Sequence, residues 1–253
     1  MAPPLLDSGH GLLKKEITAV ILAGGRGTRM GGVDKGLQLW NGTTLAQHAL
    51  NRLLPQVGSV MLNANRNLAD YRSFGVPVWA DADEICQPAE PHDLTAHPAL
   101  LAQPNFNGPL AGMLAALRHC KTPYLLTVPC DAPLFPADLA SRLSAALVLA
   151  AADISVAASL DADGSLREQS VFCLMRADLL ASLASYTASG GRKVSAWTAQ
   201  HRRVQVPFDQ SADDPRAFLN INTLAALNEL AELGELGELG ESRGLHGLAK
   251  PLL

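Results

Sequence analysis

The stretch ITAVIL at residues 17–22 is followed at once by AGG at residues 23–25. A short, continuously apolar and partly β-branched run that ends at glycine is typical of a strand buried on both faces of a parallel sheet. Similar runs alternate with helical patterns along most of the chain. This alternation predicts an α/β protein in which helices cover both faces of a mainly parallel sheet, giving a three-layer α/β/α sandwich.

The remaining strands and helices are predicted from similar patterns along the chain. Further strands are predicted at residues 57–63, 76–80, 124–128, 154–158, 170–174 and 204–206. Helices are predicted at residues 44–54, 110–118, 136–152 and 177–188, and from about residue 223. In such sheets ligands bind beyond the carboxyl ends of the strands. We therefore look for chemistry in the polar segments that follow Leu22, Leu62 and Val128.

The composition excludes several classes of protein. With 253 residues, 48% of them hydrophobic and 17% charged, the chain can bury a large core and is not wholly disordered. Of the formal net charge of −4, three units lie in the segment from Glu229 onward, so the remainder is nearly neutral. This balance does not favour a nucleic acid polymer as a partner. No stretch approaches the ~18 apolar residues of a membrane helix.

The chain divides into four predicted regions. Residues 1–16 form an N-terminal extension without the pattern of a secretory signal. Residues 17–230 form the main domain, within which the proline-rich residues 83–107 are an irregular insertion. Residues 231–253 form a low-complexity tail that repeats Glu-Leu-Gly. The four cysteines are scattered without a C-x-x-C pair, so we expect reduced thiols, a cytoplasmic location and no zinc site.

The strongest functional signal is the glycine-rich segment LAGGRGTRMGGVDK at residues 22–35. Glycines let the backbone approach an anion and turn its N–H groups toward it, and Arg29 and Lys35 add positive charge. The segment therefore predicts a loop that cradles phosphates. It is not a P-loop, since no Gly-Lys-Ser/Thr closes it, and Met30 replaces the third glycine of G-x-G-x-x-G. The alternative is a glycine-rich surface turn.

Three weaker signals follow along the chain. Asp131, in PCDAP at residues 129–133, comes directly after a predicted buried strand, and a lone carboxylate there suits Mg²⁺ with substrate phosphates. The residues alone leave open whether it instead caps the next helix. The segment NGPLAG at residues 107–112 predicts a glycine turn into a helix. Asn220 and Asn222 share one side of an extended segment, with a helix cap at Thr223 as the alternative.

Taken in order, these segments resemble the motifs of the molybdenum cofactor guanylyltransferases. LAGG at residues 22–25, with Arg29 and Lys35, resembles their signature loop, and NANR at residues 63–66 resembles their guanine-side loop. GPLAG at 108–112, PCD at 129–131 and NINT at 220–223 follow in the family's order. The opening loop alone indicates only the wider nucleotidyltransferase group, whereas the ordered set, which runs from about residue 18 to 230, is specific.

The resemblance implies a Rossmann-like nucleotidyltransferase fold and a reaction. GMP would pass from GTP to the phosphate of the molybdopterin-bound molybdenum cofactor, with Mg²⁺ as cofactor and release of pyrophosphate. The implied catalytic residues are Arg29, Lys35 and Asp131, with Asp131 as the metal ligand. The residues implied in GTP binding are Leu22, Ala23, Gly24, Gly25, Lys35, Asn63, Asp81 and Asp131. Those implied on the pterin side are Gly108, Gly112, Asn220 and Asn222.

Alternatives exist for one of the site residues and for the function. Asp83 is an alternative to Asp81, because the link from here to Gly108 is longer than is usual in the family. Related nucleotidyltransferases are alternatives for the function, such as a molybdenum cofactor cytidylyltransferase or a sugar-phosphate nucleotidyltransferase. A non-catalytic nucleotide-binding adaptor is the alternative of another class. Because the product cofactor is buried in its enzymes, contact with molybdenum-insertion proteins or acceptor molybdoenzymes is also expected.

Overall fold

A computed structural model of the chain describes residues 11–25, 33–81, 108–161 and 163–221. The strands in these residues are β1 (Ile17–Leu22), β2 (Leu39–Trp40), β3 (Thr43–Thr44), β4 (Ser59–Asn63), β5 (Val78–Trp79), β6 (Tyr124–Pro129), β7 (Ile154–Leu160), β8 (Leu166–Arg176) and β9 (Arg203–Phe208). The α-helices are α1 (Leu45–Leu53), α2 (Leu68–Arg72), α3 (Pro109–His119), α4 (Leu139–Leu149), α5 (Leu180–Ala188) and α6 (Val194–Thr198).

The main sheet has the strand order β5-β4-β1-β6-β8-β7-β9. Strands β5, β4, β1 and β6 pair in parallel, and β9 pairs in parallel with β7. Among the described strands of this sheet, only β8 runs antiparallel to its neighbours, β6 and β7. The prediction of an α/β fold with a mainly parallel sheet is therefore confirmed. The carboxyl ends of β1, β4 and β6 meet at one edge.

Both faces of the sheet are covered by helices. Ala19 and Ile21 of β1 lie in the apolar cluster that includes residues of α1 and α4. Val20, between them, lies in the second cluster, which includes residues of α3, α5 and α6. Because successive side chains of a strand point to opposite faces, burial on both sides explains why β1 is apolar at every position rather than at alternate ones.

Some predicted bounds were wrong for local physical reasons. The helix predicted at residues 136–152 is shorter: Leu139 N–H bonds to the Pro136 carbonyl in a turn before α4, and Ala151 adopts a positive φ of 46° after it. The helix predicted from residue 177 begins as a 3₁₀ turn, Ala177–Leu179, before α5. The sequence reasoning missed the short elements α2, α6, β2 and β3.

The described part of the chain contains no helix long and apolar enough to cross a membrane. The predicted insertion at 83–107, the tail at 231–253 and the last helix, from about residue 223, lie outside the described residues, as do residues 1–10 of the predicted extension. The domain boundaries therefore remain predictions.

Candidate active site

A cleft of about 530 Å³ opens at the carboxyl edge of the central strands. The backbone joins the three strands there, since Ala23 N–H donates to the Asn63 carbonyl at 2.8 Å and Cys130 N–H donates to the Leu22 carbonyl at 3.1 Å. The described residues that line the cleft are Leu22, Ala23, Gly24, Gly25, Lys35, Asn63, Gly108, Pro109, Pro129, Cys130, Asp131, Gln169, Ser170, Val171, Phe172 and Asn220.

Two opposite charges meet across this cleft. Lys35 lies in a 3₁₀ turn, Lys35–Leu37, and Asp131 follows β6. Lys35 Nζ donates to Asp131 Oδ2 at 3.0 Å, and about a fifth of each side chain is exposed (20% and 19%). Ile221 N–H donates to the Asp131 carbonyl at 2.7 Å, which ties the end of the described chain to this position. Both charged groups are therefore accessible to a ligand in the cleft.

A hydrogen-bonded cluster, residues 63–65 and Asp81, lies at one side of the cleft, and of these Asn63 is among the described residues that line it whereas Asn65 and Asp81 are not. We call the cluster the nucleotide wall, after the role that the resemblance implies for Asn63 and Asp81. Asn63 Nδ2 donates to Asp81 Oδ1 at 2.9 Å, and Asn65 Nδ2 donates to Asp81 Oδ2 at 2.9 Å. Asn65 also accepts from Asp81 N–H at 2.8 Å and donates to the Gly24 carbonyl at 3.1 Å. The structure thus brings Asn63 and Asp81 together, and their contact with a nucleotide stays a prediction.

Two glycines allow this wall to form. A Cβ on Gly24 would lie 2.7 Å from Asn65 Nδ2 and 2.9 Å from Asn63 Oδ1. A Cβ on Gly112, in α3, would lie 2.3 Å from Asn63 Oδ1 and 2.8 Å from Leu22 Cδ2. Gly112 is buried behind Asn63 and is not among the described residues that line the cleft. Its close contact is with the Asn63 side chain.

A second part of the lining consists of residues 169–172 of β8 together with Gly108, Pro109 and Asn220. We call it the acceptor wall, after the role that the resemblance implies for Gly108 and Asn220. Gln169 Nε2 donates to Ser159 Oγ at 3.0 Å, and Ser170 Oγ donates to Glu168 Oε1 at 2.9 Å. The resemblance implies that residues 167–170 face the acceptor, but it assigns no contact to a particular side chain there; Gln169 and Ser170 of this segment line the cleft. They reach the cleft because β8 runs antiparallel to β6, which its apolar pattern did not reveal.

Other predicted residues lie elsewhere. Three of them, Arg29, Asn222 and Asp83, are outside the described residues.

Cys130 lines the cleft, but burial, with the nearby Asp131 and Asp34 carboxylates, raises the pKa of its thiol well above the ordinary value. A thiol in this environment stays protonated near neutral pH and is a poor nucleophile.

Comparison with known proteins identifies the class to which this fold and cleft belong. Residues 19–204 match the MobA-like NTP transferase domain, and the chain belongs to this family of nucleotidyltransferases. The family resemblance drawn from the sequence motifs is thereby confirmed.

Curated relatives give the particular branch of the family. A protein named molybdenum cofactor guanylyltransferase from Acidovorax sp. (strain JS42) is 55% identical over 218 residues, which cover 84% of this chain and 94% of that protein. A protein of the same name from Ralstonia nicotianae is 54% identical over 218 residues, covering 85% and 95%.

Solved structures share the fold at low sequence identity. The crystal structure of molybdopterin-guanine dinucleotide biosynthesis protein A from Archaeoglobus fulgidus superposes with a TM-score of 0.62 at 18% identity, covering 87% of this chain and 99% of that one. A nucleotidyl transferase from Methanothermobacter thermautotroptrophicus gives a TM-score of 0.57 at 18% identity, covering 88% and 99%. These similarities support the α/β nucleotidyltransferase fold.

Proposed function

We propose that the protein transfers GMP from GTP to the phosphate of the molybdopterin-bound molybdenum cofactor, forming the molybdopterin guanine dinucleotide cofactor and releasing pyrophosphate. The relatives at 54–55% identity carry the name of this activity. The observation in the structure that carries the proposal is the Lys35–Asp131 pair, 3.0 Å apart, at the cleft between the nucleotide wall and the acceptor wall.

The nucleotide side supplies binding and orientation. In this proposal the backbone of residues 22–25 approaches the phosphates, as the close-packed Gly24 permits, and Lys35 neutralises part of their charge. Asn63 and Asp81 contact the guanosine, and Asn65 fixes Asp81 by donating to its carboxylate and accepting from its backbone N–H. Arg29, which lies outside the described residues, adds charge to the same loop. A wall whose polar groups are already bonded together loses little entropy when a nucleotide binds.

The reaction needs positioning more than it needs a strong base. The attacking group is a phosphate oxygen of the acceptor, which is largely ionised near neutral pH. Catalysis therefore consists of holding the α-phosphorus in line between the attacking oxygen and the pyrophosphate, and of neutralising charge that develops there. Lys35 is suited to the second task because its ammonium group lies at the cleft.

We also propose that Mg²⁺ binds at Asp131. The residues present fit such an ion, because Asp131 places a carboxylate in the cleft and Mg²⁺ is commonly held by one or two carboxylates together with substrate phosphates and water. Bound there, the ion would neutralise triphosphate charge. In the described residues, no three His, Cys, Asp or Glu side chains are grouped so that they could hold a metal ion by themselves.

The pterin side remains the less defined half of the proposal. Gly108 and Asn220 line the cleft there, and Asn222 follows beyond the described residues. Gly112 enters the proposal through its contact with Asn63.

We further propose that the enzyme works in the cytoplasm, which suits the free thiols of Cys120, Cys130 and Cys173. It delivers its product by contact with molybdenum-insertion proteins or acceptor molybdoenzymes.

One assay tests the function against its alternatives. The purified chain is incubated with molybdopterin-bound molybdenum cofactor and GTP, CTP or ATP, with and without Mg²⁺, and both pyrophosphate and the dinucleotide product are measured. We expect product with GTP that is lost when EDTA removes the metal. A preference for CTP would indicate a cytidylyltransferase, transfer only to a sugar phosphate would indicate another nucleotidyltransferase, and GTP binding without transfer would indicate an adaptor.

A further inference from the structure

A second carboxylate near the cleft is buried and takes no part in the reaction proposed above. Asp34 precedes Lys35 directly, and only 8% of its surface is exposed. Tyr71 Oη donates to Asp34 Oδ1 at 2.6 Å, and Asn67 Nδ2 donates to Asp34 Oδ2 at 2.9 Å. Arg66 Nε lies 3.5 Å from Oδ2. A buried carboxylate is costly unless it is bonded in this way, so the cluster specifies one conformation.

The partners of the Asp34 carboxylate named above all come from one short segment, residues 66–71. Asn67 adopts a left-handed conformation with φ of 49°, which asparagine tolerates well, and α2 begins directly after it. Tyr71 is fully buried, and burial together with the Asp34 carboxylate raises the pKa of its phenol, so the hydroxyl stays a donor. The ring also abuts the turn, since a Cβ on Gly36 would lie 2.3 Å from Tyr71 Oη.

The same segment holds the ends of the glycine-rich loop and the nucleotide wall. Arg66 Nη2 donates to the Val33 carbonyl at 2.9 Å and reaches the Gly25 carbonyl at 3.5 Å. Its neighbour Asn65 belongs to the nucleotide wall through its bonds to Asp81. The turn that carries Lys35 and the loop proposed to contact guanosine are therefore fastened to each other through residues 65–71.

We propose that Asp34 is a positioning residue: its carboxylate, bonded by Tyr71 and Asn67, holds the turn that presents Lys35 to the nucleotide phosphates. The inference rests on the proposed phosphate-binding role of Lys35 and adds the device that orients it. A lysine side chain is long and flexible, so a fixed turn at its base is what limits where its ammonium group can lie. Misplacement of a charged group by about 1 Å can cost ~10²-fold in rate.

A double-mutant cycle tests the coupling between the two residues. The four proteins are the wild type, Asp34→Asn, Lys35→Ala and the double variant, and kcat and KM for GTP are measured for each. The amide of Asp34→Asn keeps the shape of the side chain but turns an NH₂ group toward one of its two donors. We expect it to lower kcat/KM for GTP by about 10- to 100-fold, and Lys35→Ala to lower it at least as much.

The decisive result is whether the two effects multiply. If Asp34 acts through Lys35, the double variant should be within about threefold of Lys35→Ala alone, because the lysine that Asp34 orients is absent. If Asp34 only stabilises the fold, its effect should be the same with and without Lys35, which would overturn the proposal. An unchanged kcat/KM in Lys35→Ala would overturn it too, since there would be nothing to orient.

Two further measurements keep the test decisive. Asp70→Asn changes an exposed aspartate on α2 in the same segment and should leave kcat/KM unchanged. If Asp34→Asn does not fold, Tyr71→Phe removes a single donor and takes its place in the cycle, with thermal unfolding followed alongside. If the wild type binds GTP but transfers nothing, the proposed function fails by itself, and the same cycle run on GTP affinity by calorimetry still decides between coupling and additivity.

Discussion

The two walls of the cleft differ in the number of hydrogen bonds that their polar side chains make before any ligand binds. On the nucleotide wall, Asn63, Asn65 and Asp81 bond to one another and to the backbone, and Asn63 is 3% exposed. On the acceptor wall, Gln169 and Ser170 are half-buried and bond to the neighbouring polar side chains of Ser159 and Glu168. Each residue of the first group takes part in at least two of these bonds, whereas Gln169 and Ser170 each make one of the bonds described above.

This difference corresponds to the two substrates of the proposed reaction. A nucleoside triphosphate presents a small rigid base, which a fixed set of hydrogen bonds distinguishes well. A bulky cofactor that must be accepted and then handed to another protein is better served by a wall that adapts. Lys35 and Asp131 meet where the walls join, so changes there should affect both substrates.

The largest effect is expected from Asp131→Asn, which breaks the junction between the walls. The variant keeps the shape of the side chain but removes the charge proposed to hold Mg²⁺ and to pair with Lys35. Loss of one preorganised electrostatic contact in an active site commonly costs ~10²- to 10³-fold in kcat. We expect a fall of that size in Mg²⁺-dependent pyrophosphate release, measured at saturating GTP and acceptor.

The matched control for this variant is Asp138→Asn. Asp138 precedes α4, its side chain is 57% exposed, and it lies 3.8 Å from Arg142 rather than in the cleft. It should retain wild-type turnover. Undiminished pyrophosphate release by Asp131→Asn would show that this carboxylate has no catalytic part.

An intermediate effect is expected from Gly112→Ala, which disturbs the nucleotide wall from behind. The new Cβ would lie 2.3 Å from Asn63 Oδ1, so Asn63 must shift toward the cleft or α3 must move away from β4. Overpacking a buried site lowers the free energy of unfolding by roughly 1–3 kcal/mol. The higher helix propensity of alanine offsets ~1 kcal/mol of this loss. We expect a lower unfolding midpoint and weaker GTP binding, measured by denaturation and calorimetry, with little change in acceptor KM.

Truncation of Asn63, the side chain that the added Cβ would contact, should relieve the loss of stability caused by Gly112→Ala. In Asn63→Ala the nearest obstructing atom is gone and Leu22 Cδ2, at 2.8 Å, is the close contact that remains, so the added cost of Gly112→Ala should be smaller in that background than in the wild type. Equal costs in the two backgrounds would show that position 112 acts without Asn63.

The sequence predicted those parts of the molecule that depend on local pattern. The apolar run of β1 required burial on both faces, and the glycines after it required a loop that approaches other groups closely. The order of motifs then identified the family, and Lys35 and Asp131 were both selected although 96 positions separate them. Asp131 follows β6 and Lys35 lies in the turn after the glycine-rich loop that follows β1, and the pairing of β1 with β6 brings the two segments to the same edge of the sheet.

Features that depend on tertiary contacts were not predictable in this way. Gly112 was expected on the pterin side, but only the packing of α3 on β4 shows that its neighbour is Asn63. Asp34 looked like part of a loop motif, because its donors Asn67 and Tyr71 lie more than 30 positions away. Gln169 and Ser170 reach the cleft through the reversed direction of β8, and a short apolar strand has the same pattern in either direction.

The smallest effect is expected from Gln169→Ala, which changes the acceptor wall alone. One hydrogen bond at a half-buried site contributes about 0.5–1.5 kcal/mol, which corresponds to roughly a 2- to 13-fold rise in KM for the molybdopterin substrate. GTP affinity should stay at the wild-type value, because Gln169 contacts none of the residues of the nucleotide wall in the bonds described above. Gln200→Ala, at an exposed position outside the cleft, should change neither quantity. A rise in the KM for GTP with an unchanged acceptor KM would reverse the assignment of the two walls.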